Sequence, residues 1–414
     1  MNKVRNRSEK LWTSHSIKAM LVTFSLAICY HTQLSILPLY AQYIGGNKMA
    51  AGLMLGAFTI SALLFRPLVG NLCDRKGRKF VLVTGIVCFA AVSILYSYAY
   101  VVWLLVFLRF IHGASFSAYS TSSGTIIADI VPQSRLMEGI GFSGMSNTLA
   151  TAIGPAIGLY LIHITGYSNL FKILFGVAVI GLILSFFINY EDKTTADENK
   201  TADENKTAKE NKTAKGNKSE KERDENAKKK NVFLEKRAIP PSLVMFFTSM
   251  AQISITVFLP TYALSRGIQN IGLYFTVYAI VLLVTRPMLG KLSDRIGPTK
   301  ILIPALAVFT LCLIHLAYST TLYSFLLNSV LYGLGQGALY PILNGLAIKL
   351  AHPEHIGAAN STFFSSIDLG YGIGSILLGA VLQYTGFTVI FIASAGLNLV
   401  ALILYLILFV WRKF

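Results

Sequence analysis

The chain has 414 residues, 54% of them hydrophobic and only 13% charged, and 36 Lys and Arg against 19 Asp and Glu leave a formal charge of +17. A soluble domain carries about a quarter charged residues, so an ordinary soluble globule is excluded. Nucleic-acid binding is excluded as well, because many of the basic residues lie in short connections between apolar runs, where they set orientation. A basic tail with Lys3, Arg5, Arg7 and Lys10 comes first. The helix predicted next, over 17–40, holds His31 and Gln33 ahead of Pro38. No small-residue cleavage pattern follows, so this run reads as a retained span and not a signal peptide.

A second helix runs from about 50 to Arg66-Pro67, and helices over 80–98 and 101–125 follow across a tight turn. The fourth carries Arg109, His112 and Tyr119. A loop with Asp129, Pro132 and Arg135 leads to a helix over 138–162 containing Asn147, Gly154, Pro155 and Gly158, and a sixth helix spans 168–189. From 191 to 237 the composition turns almost wholly polar, with Asn-Lys-Thr-Ala repeated from Asn199, Asn205 and Asn211. Such a stretch buries too little apolar surface to offset the entropy of ordering, which predicts a disordered linker. Further helices are expected at 240–262, 270–289, 300–318, 322–346, 355–381 and 387–410. The division is a six-helix half over 1–190, a linker over 191–237 and a second six-helix half over 238–414. At roughly 20 residues per crossing, the length suits an all-α membrane bundle of 6+6 helices.

The two halves repeat. Arg66-Pro-Leu-Val-Gly70-Asn-Leu-Cys-Asp74-Arg75-Lys-Gly77-Arg78 is matched by Arg286-Pro-Met-Leu-Gly290-Lys-Leu-Ser-Asp294-Arg295-Ile-Gly297-Pro298. Offsets of 220 to 222 also pair Pro38 with Pro260, Gly113 with Gly335 and Pro132 with Pro353. Parallel repeats suit a transporter whose halves rock about a central cavity. A channel would call for a ring of charges, and none is visible. The Lys and Arg of both repeated loops, with Lys349, Arg412 and Lys413, fall on the side of the N-terminal tail, while the opposite connections carry little beyond Lys48 and Arg266. The positive-inside rule therefore puts both termini and the linker in the cytoplasm, which discounts the Asn-Lys-Thr glycosylation triplets.

The linker holds 12 of the 19 acidic residues, and of the remaining seven only Asp368 falls near the middle of a span. A carboxylate there is costly to bury and marks a functional site by default. Burial favours the neutral form of a carboxyl group, which makes reversible protonation feasible. The plainer alternative is an Asp capping an unwound segment beside Gly370, Gly372 and Gly374. Arg109 is the matching basic candidate, for an anionic substrate group or for tuning a carboxylate, with snorkelling as its alternative. His31, Gln33, His112, Tyr119, Asn147, Gln336, Asn344, Asn360 and Tyr371 are polar groups on helices expected around the cavity. Asn147 aligns with Asp368 at an offset of 221, a neutral and an ionisable group at equivalent depth. In the first loop Asp74, at a helix end, is placed to accept hydrogen bonds from a neighbouring helix N-terminus and Arg78 is placed to reach Asp129, whereas the second loop has Pro298-Thr299 and Lys349 nearby, so the first is the stronger latch candidate. Asp74, Arg78 and Asp129, with Gly70, Arg75, Gly77, Asp294, Arg295 and Gly297, form the candidate latch. Gly154, Pro155 and Gly158 form a candidate gate, since Pro breaks or bends a helix and Gly permits close packing.

These motifs identify a resemblance to the major facilitator superfamily over nearly the full length apart from the linker. Gly70-x-Leu72-x-Asp74-Arg75-x-Gly77-Arg78-Lys79 resembles its signature loop between helices 2 and 3, which implies stabilisation of an outward-open state. Arg109-x-x-x-Gly113 resembles its helix 4 motif and implies proton coupling. Gly154-Pro155-x-x-Gly158 resembles the helix 5 motif of its antiporters, although Leu159 replaces a usual Gly. The second loop departs too, with Pro298-Thr299 where basic residues are usual. The chain is similar to bacterial twelve-helix drug:proton antiporters and related metabolite exporters, and Phe65-Arg66-Pro67 is similar to members exporting small hydrophilic metabolites. Helix 1 lacks the acidic residue of several multidrug members.

The resemblance implies a proton-coupled exporter of a small organic molecule, acting as a monomer in the bacterial cell membrane. An uptake symporter for a nutrient or osmolyte is the alternative, and a membrane sensor docking through its linker is a third reading. With no nucleophile–base set, nucleotide loop or metal constellation, neither an enzyme nor a cofactor or metal is expected. Cys29, Cys73, Cys88 and Cys312 lack paired or ligand spacing and read as small apolar residues.

Overall fold

The computed structural model describes residues 11–46, 48–188, 232–268 and 270–411. Among the described residues twelve long helices follow in chain order: α1 (Ser14–Tyr43), α2 (Lys48–Lys76), α3 (Arg78–Leu95), α4 (Val102–Ile130), α5 (136–165), α6 (167–186), α7 (239–265), α8 (Gly272–Ile296), α9 (Thr299–Ala317), α10 (Leu322–Leu350), α11 (Ile356–Tyr384) and α12 (387–411). No strand occurs among the described residues. In the continuous run Leu136–Phe186 the backbone leaves helical values only at Gly166 (φ 77°). The helix is therefore not broken at Pro155; the break falls at Gly166, the boundary between α5 and α6. Helix α7 loosens into a π-helical stretch at Ser254–Phe258 just before Pro260.

The repeat is visible in three dimensions. In the first half α1 packs on the run α5–α6, α2 on α4, and α3 on α4 and on that same run, where Lys79 reaches the Phe186 oxygen; in the second, α7 packs on α11 and α12, α8 on α10, and α9 on α10 and α12. Phe89, Leu82, Leu170 and Leu174 fill one core. Leu306, Phe309, Leu313 and Phe391 fill the other. Leu64, Phe186, Val284, Leu311 and Ile376 point outward and are exposed, as suits spans whose outer faces meet lipid and not water. The helices also satisfy their backbone groups internally, which the bilayer requires.

The halves meet along two symmetry-related seams, α2 against α11 and α5 against α8. Glycine makes both approaches possible. A Cβ at Gly70 would lie 2.5 Å from Ser361 Cβ and 2.8 Å from the Gly357 oxygen, and one at Gly290 would lie 2.8 Å from the Met137 carbonyl carbon. Both seams end at a repeated turn, where Gly77 (φ 91°) and Gly297 (φ 94°) take a backbone conformation that other residues rarely adopt.

The stretch read as a linker lies outside the described residues over 189–231. Its last residues, 232–237, are packed: Asn71 Nδ2 donates to the Val232 oxygen (3.3 Å) and the Glu235 N–H donates to Thr362 Oγ1 (3.1 Å). They thus lie across the α2–α11 seam.

Overpacking a tight contact costs about 1–3 kcal/mol, equivalent to about a 5- to 150-fold change in a two-state equilibrium. Gly70→Val and Gly290→Val should reach the membrane normally yet shift the protein towards a seam-open state. Cysteine probes placed along α2 and α11 would report it as increased labelling from the side of the two repeated turns.

Candidate transport site

At the seam ends, each half caps a helix of the other. The N-terminus of α11 presents two backbone amides to Asp74 at the end of α2: Gly357 N–H donates to Oδ1 (2.7 Å) and Ala358 N–H to Oδ2 (2.8 Å). Helix N-termini carry unpaired amides and partial positive charge, so a carboxylate is well placed there. In the partner seam the Glu138 N–H, at the start of α5, donates to Asp294 Oδ2 (3.0 Å). Arg78 Nε lies 3.3 Å from Asp129 Oδ2, the contact expected from the sequence, and its Nη2 lies 3.9 Å from Asp74. On the other side Lys349 Nζ, 3.2 Å away, serves Asp294 directly. Arg75 and Arg295 stand in the last turns of α2 and α8.

Further along the seams, about 12–15 Å from the capped ends at 1.5 Å per residue, stand the two arginines of the repeat. Arg66 reaches from α2 to α11, and its Nε donates to Asp368 Oδ2 at 2.5 Å. Its Nη1 also donates to Ser120 and Thr121 on α4 (3.2 and 3.4 Å), while Phe116 and Phe364 cover the guanidinium. Arg66 is 3% exposed whereas Asp368 keeps 18%, so the carboxylate is the wetter partner. Arg286 makes the symmetry-related crossing from α8 to α5: its Nη1 donates to the Gly144 oxygen (2.7 Å) and to Thr148 Oγ1 (3.0 Å), and the Tyr340 ring lies 5.3 Å from it. Sequence reasoning singled out both arginines as repeat landmarks without assigning them to the site. The charge inventory signalled that a mid-span carboxylate needs a cation, but which arginine supplies it depends on α2 packing against α11.

The other predicted residues divide into groups. Tyr371 lies within electrostatic reach of Asp368, Arg286 and Tyr30, and Tyr30 within reach of Arg109, Asp368 and Arg66. Asn344 donates to Asn360 (3.0 Å) and Asn360 to Thr125 of α4 (3.2 Å); both asparagines are buried, so they tie the halves together and do not line an open cavity. Gln33 and His112 are likewise fully buried inside the first half. Gln33 donates to Ser93 (2.8 Å), and His112 Nδ1 sits 3.0 Å from the Tyr96 hydroxyl and 3.2 Å from Arg109 Nη1. Arg109 is itself 1% exposed, with Phe58 against its guanidinium, so it does not snorkel. Tyr119 is buried among Phe89 and Phe116, and Gln336 is buried on α10. Asn147 is exposed on α5. His31 is partly exposed and contacts Thr151 through Nε2 (3.0 Å). Gly154 and Gly158 lie against α1, where Thr32 Oγ1 donates to the Gly154 oxygen (3.0 Å).

Two six-helix repeats, joined by capped seams and holding an ion pair between them, define a membrane transporter built for alternating access. The sequence model of the Major Facilitator Superfamily matches residues 19–270 and 241–413, and the chain belongs to that family. It is therefore a multi-pass membrane transporter and not an enzyme. Multidrug resistance protein MdtG of Salmonella dublin is 26% identical over 399 residues, covering 94% of this chain and 93% of that protein. The Salmonella typhi MdtG is similar to the same extent. Among solved structures, the human organic anion transporter MFSD10 (TETRAN) superimposes with a TM-score of 0.72 at 16% identity, covering 95% of this chain and 100% of that one. FucP in the outward conformation gives 0.72 at 16%, covering 95% and 98%. At such identities the structural likeness establishes the fold alone.

Loss of a helix cap typically costs about 0.5–2 kcal/mol. Asp74→Ala and Asp294→Ala should each weaken the closed seam by about that amount, because each carboxylate takes backbone amides from the start of a helix in the other half. Transport by both variants in vesicles, read beside seam labelling, checks this.

Proposed function

We propose that the protein is a proton-coupled exporter of a small organic molecule, with both termini in the cytoplasm of a bacterial cell and the monomer as the working unit. The observation that carries this reading is the Arg66–Asp368 pair, which bridges the halves in the middle of the spans. The repeated loops latch one side of the molecule, and the positive-inside rule makes that side cytoplasmic. The seam-closed state is then outward-facing, in keeping with the outward conformation of the FucP structure it resembles.

In this state Asp368 is the partly exposed member of the pair. A proton arriving from outside neutralises it and removes the charge that holds Arg66 across the seam. Breaking one side of a buried pair costs several kcal/mol, about 3–5 in measured cases, so protonation favours opening of the cytoplasmic seam. Facing a less acidic cytoplasm, Asp368 releases the proton as substrate loads, and re-forming the pair closes the seam again. By linkage, whatever conformation favours the charged pair also disfavours the proton, which is the coupling an antiporter needs. The relation to proteins named for multidrug resistance supports export, and the uptake alternative gains no comparable support.

The test is accumulation of a panel of dyes and metabolites in everted vesicles with an acid lumen. Wild-type protein should concentrate at least one compound, and Asp368→Asn should lose the dependence on the pH gradient. Asp368→Asn transport with an unaltered pH profile would remove Asp368 from the coupling role. Accumulation in right-side-out vesicles instead would reverse the direction.

A further inference from the structure

We propose that Arg286 binds an anionic group of the substrate, so that the transported molecules are organic anions such as carboxylates or phosphonates; this rests on the transport reading above and assigns its substrate class. Repeat symmetry makes the case. Arg66 and Arg286 correspond at an offset of 220, and both cross a seam to the other half. The residue that Arg66 meets is Asp368, and its counterpart at an offset of 221 is Asn147. The second arginine has kept its position while its carboxylate is missing from the chain.

The contacts around Arg286 agree. Its Nη1 donates only to neutral acceptors, the Gly144 oxygen and Thr148 Oγ1, and its buried Nε has no hydrogen-bond partner. Among the described residues no ion pair includes Arg286, and Asp368 is already engaged by Arg66. A guanidinium carries five donors in a planar fork that matches a carboxylate or phosphonate. Tyr340 lies against it, and the phenols of Tyr278 and Tyr371 are within its electrostatic reach, which adds neutral donors suited to an anion. Of the mid-span arginines, Arg66 is neutralised and Arg109 is sealed at 1% exposure, whereas Arg286 is partly exposed. An uncompensated cation at this depth is costly, and an incoming anion relieves that cost. Asn147 is exposed and adjoins Thr148, which Arg286 contacts.

The test uses the purified full-length protein in detergent and the melting temperature as readout, at fixed chloride. Probes come in matched pairs, benzoate with benzamide and phenylphosphonate with its diethyl ester, and tetraphenylphosphonium serves as the cation. Both anions should raise the melting temperature in a saturable way and the uncharged partners and the cation should not. Arg286→Gln should weaken anion binding about thirtyfold or more, and Arg286→Lys, which keeps the charge without the fork, by less. Asn147→Asp restores the missing counter-ion and should abolish the anion effect in a protein at least as stable as wild type, so the test survives if Arg286→Gln fails to fold. No stabilisation by either anion, equal stabilisation by the uncharged partners, or an anion effect unchanged in both Arg286→Gln and Asn147→Asp would overturn the proposal. Binding in detergent needs no gradient, so anion binding without vesicle export would reject the export reading and leave this assignment standing.

Discussion

The carboxylate of Asp74 receives two amides from the first turn of a helix that belongs to the other half of the molecule. That contact sets the terms for the rest of the seam. Helix N-termini leave amides without internal partners, and in a membrane protein those amides need protein or water. At the end of a span both are available: the closed seam supplies a carboxylate, and the open seam supplies solvent. Neither state leaves a buried donor unsatisfied, so the contact can bias the equilibrium without locking it. The Arg66–Asp368 pair obeys a different constraint because it lies about 12–15 Å further in. Separating those two charges requires water or a proton to reach them. Position along the same seam thus distinguishes a latch from a coupling element, on the reading proposed above.

The repeat is kept where geometry demands it and altered where charge matters. Gly70 and Gly290 occupy equivalent close approaches, and Asp74 and Asp294 occupy equivalent caps. The cations beside those caps differ. In the first half Arg78, on the turn, faces Asp129 and Asp74; in the second the turn has Pro298, and Lys349 at the end of α10 serves Asp294 directly. The departure of the second loop from the family pattern is therefore compensated from a neighbouring helix.

Much of this was legible in the sequence. Hydropathy gave twelve spans, the offsets gave the symmetry, and the Asp and Gly spacing of the first loop gave its cap, because each signal is local or repeated. Asp368 stood out for the same reason: one carboxylate in the middle of an apolar span has few explanations. What was not legible depends on rotation of helices about their axes. Gln33, His112, Asn344 and Asn360 were placed around the cavity by their helix alone, yet their faces turn into the first half or into the seam. The pairing of Arg66 with Asp368 spans 302 positions of sequence and appears only once α2 and α11 pack. Gly166 falls between the expected helices over 138–162 and 168–189, and the backbone stays helical through Pro155, since proline is tolerated within membrane helices.

The mid-span charges divide between the halves in a way that bears on mechanism. Arg109, His112 and Tyr96 are buried within the first half, with no face open to a ligand. Tyr30 lies within electrostatic reach of Arg109, Arg66 and Asp368. Arg286 sits in the second half among Tyr278, Tyr340 and Tyr371, where aromatic surface and phenolic hydroxyls surround a partly exposed cation. Tyr371, on the same helix as Asp368, feels both Asp368 and Arg286. On the proposed reading the Arg66–Asp368 pair between the halves responds to a proton, and Arg286 in the second half recognises cargo. Helix α11 carries both Asp368 and Tyr371, so a change of charge at one position is felt at the other without any conformational relay between them.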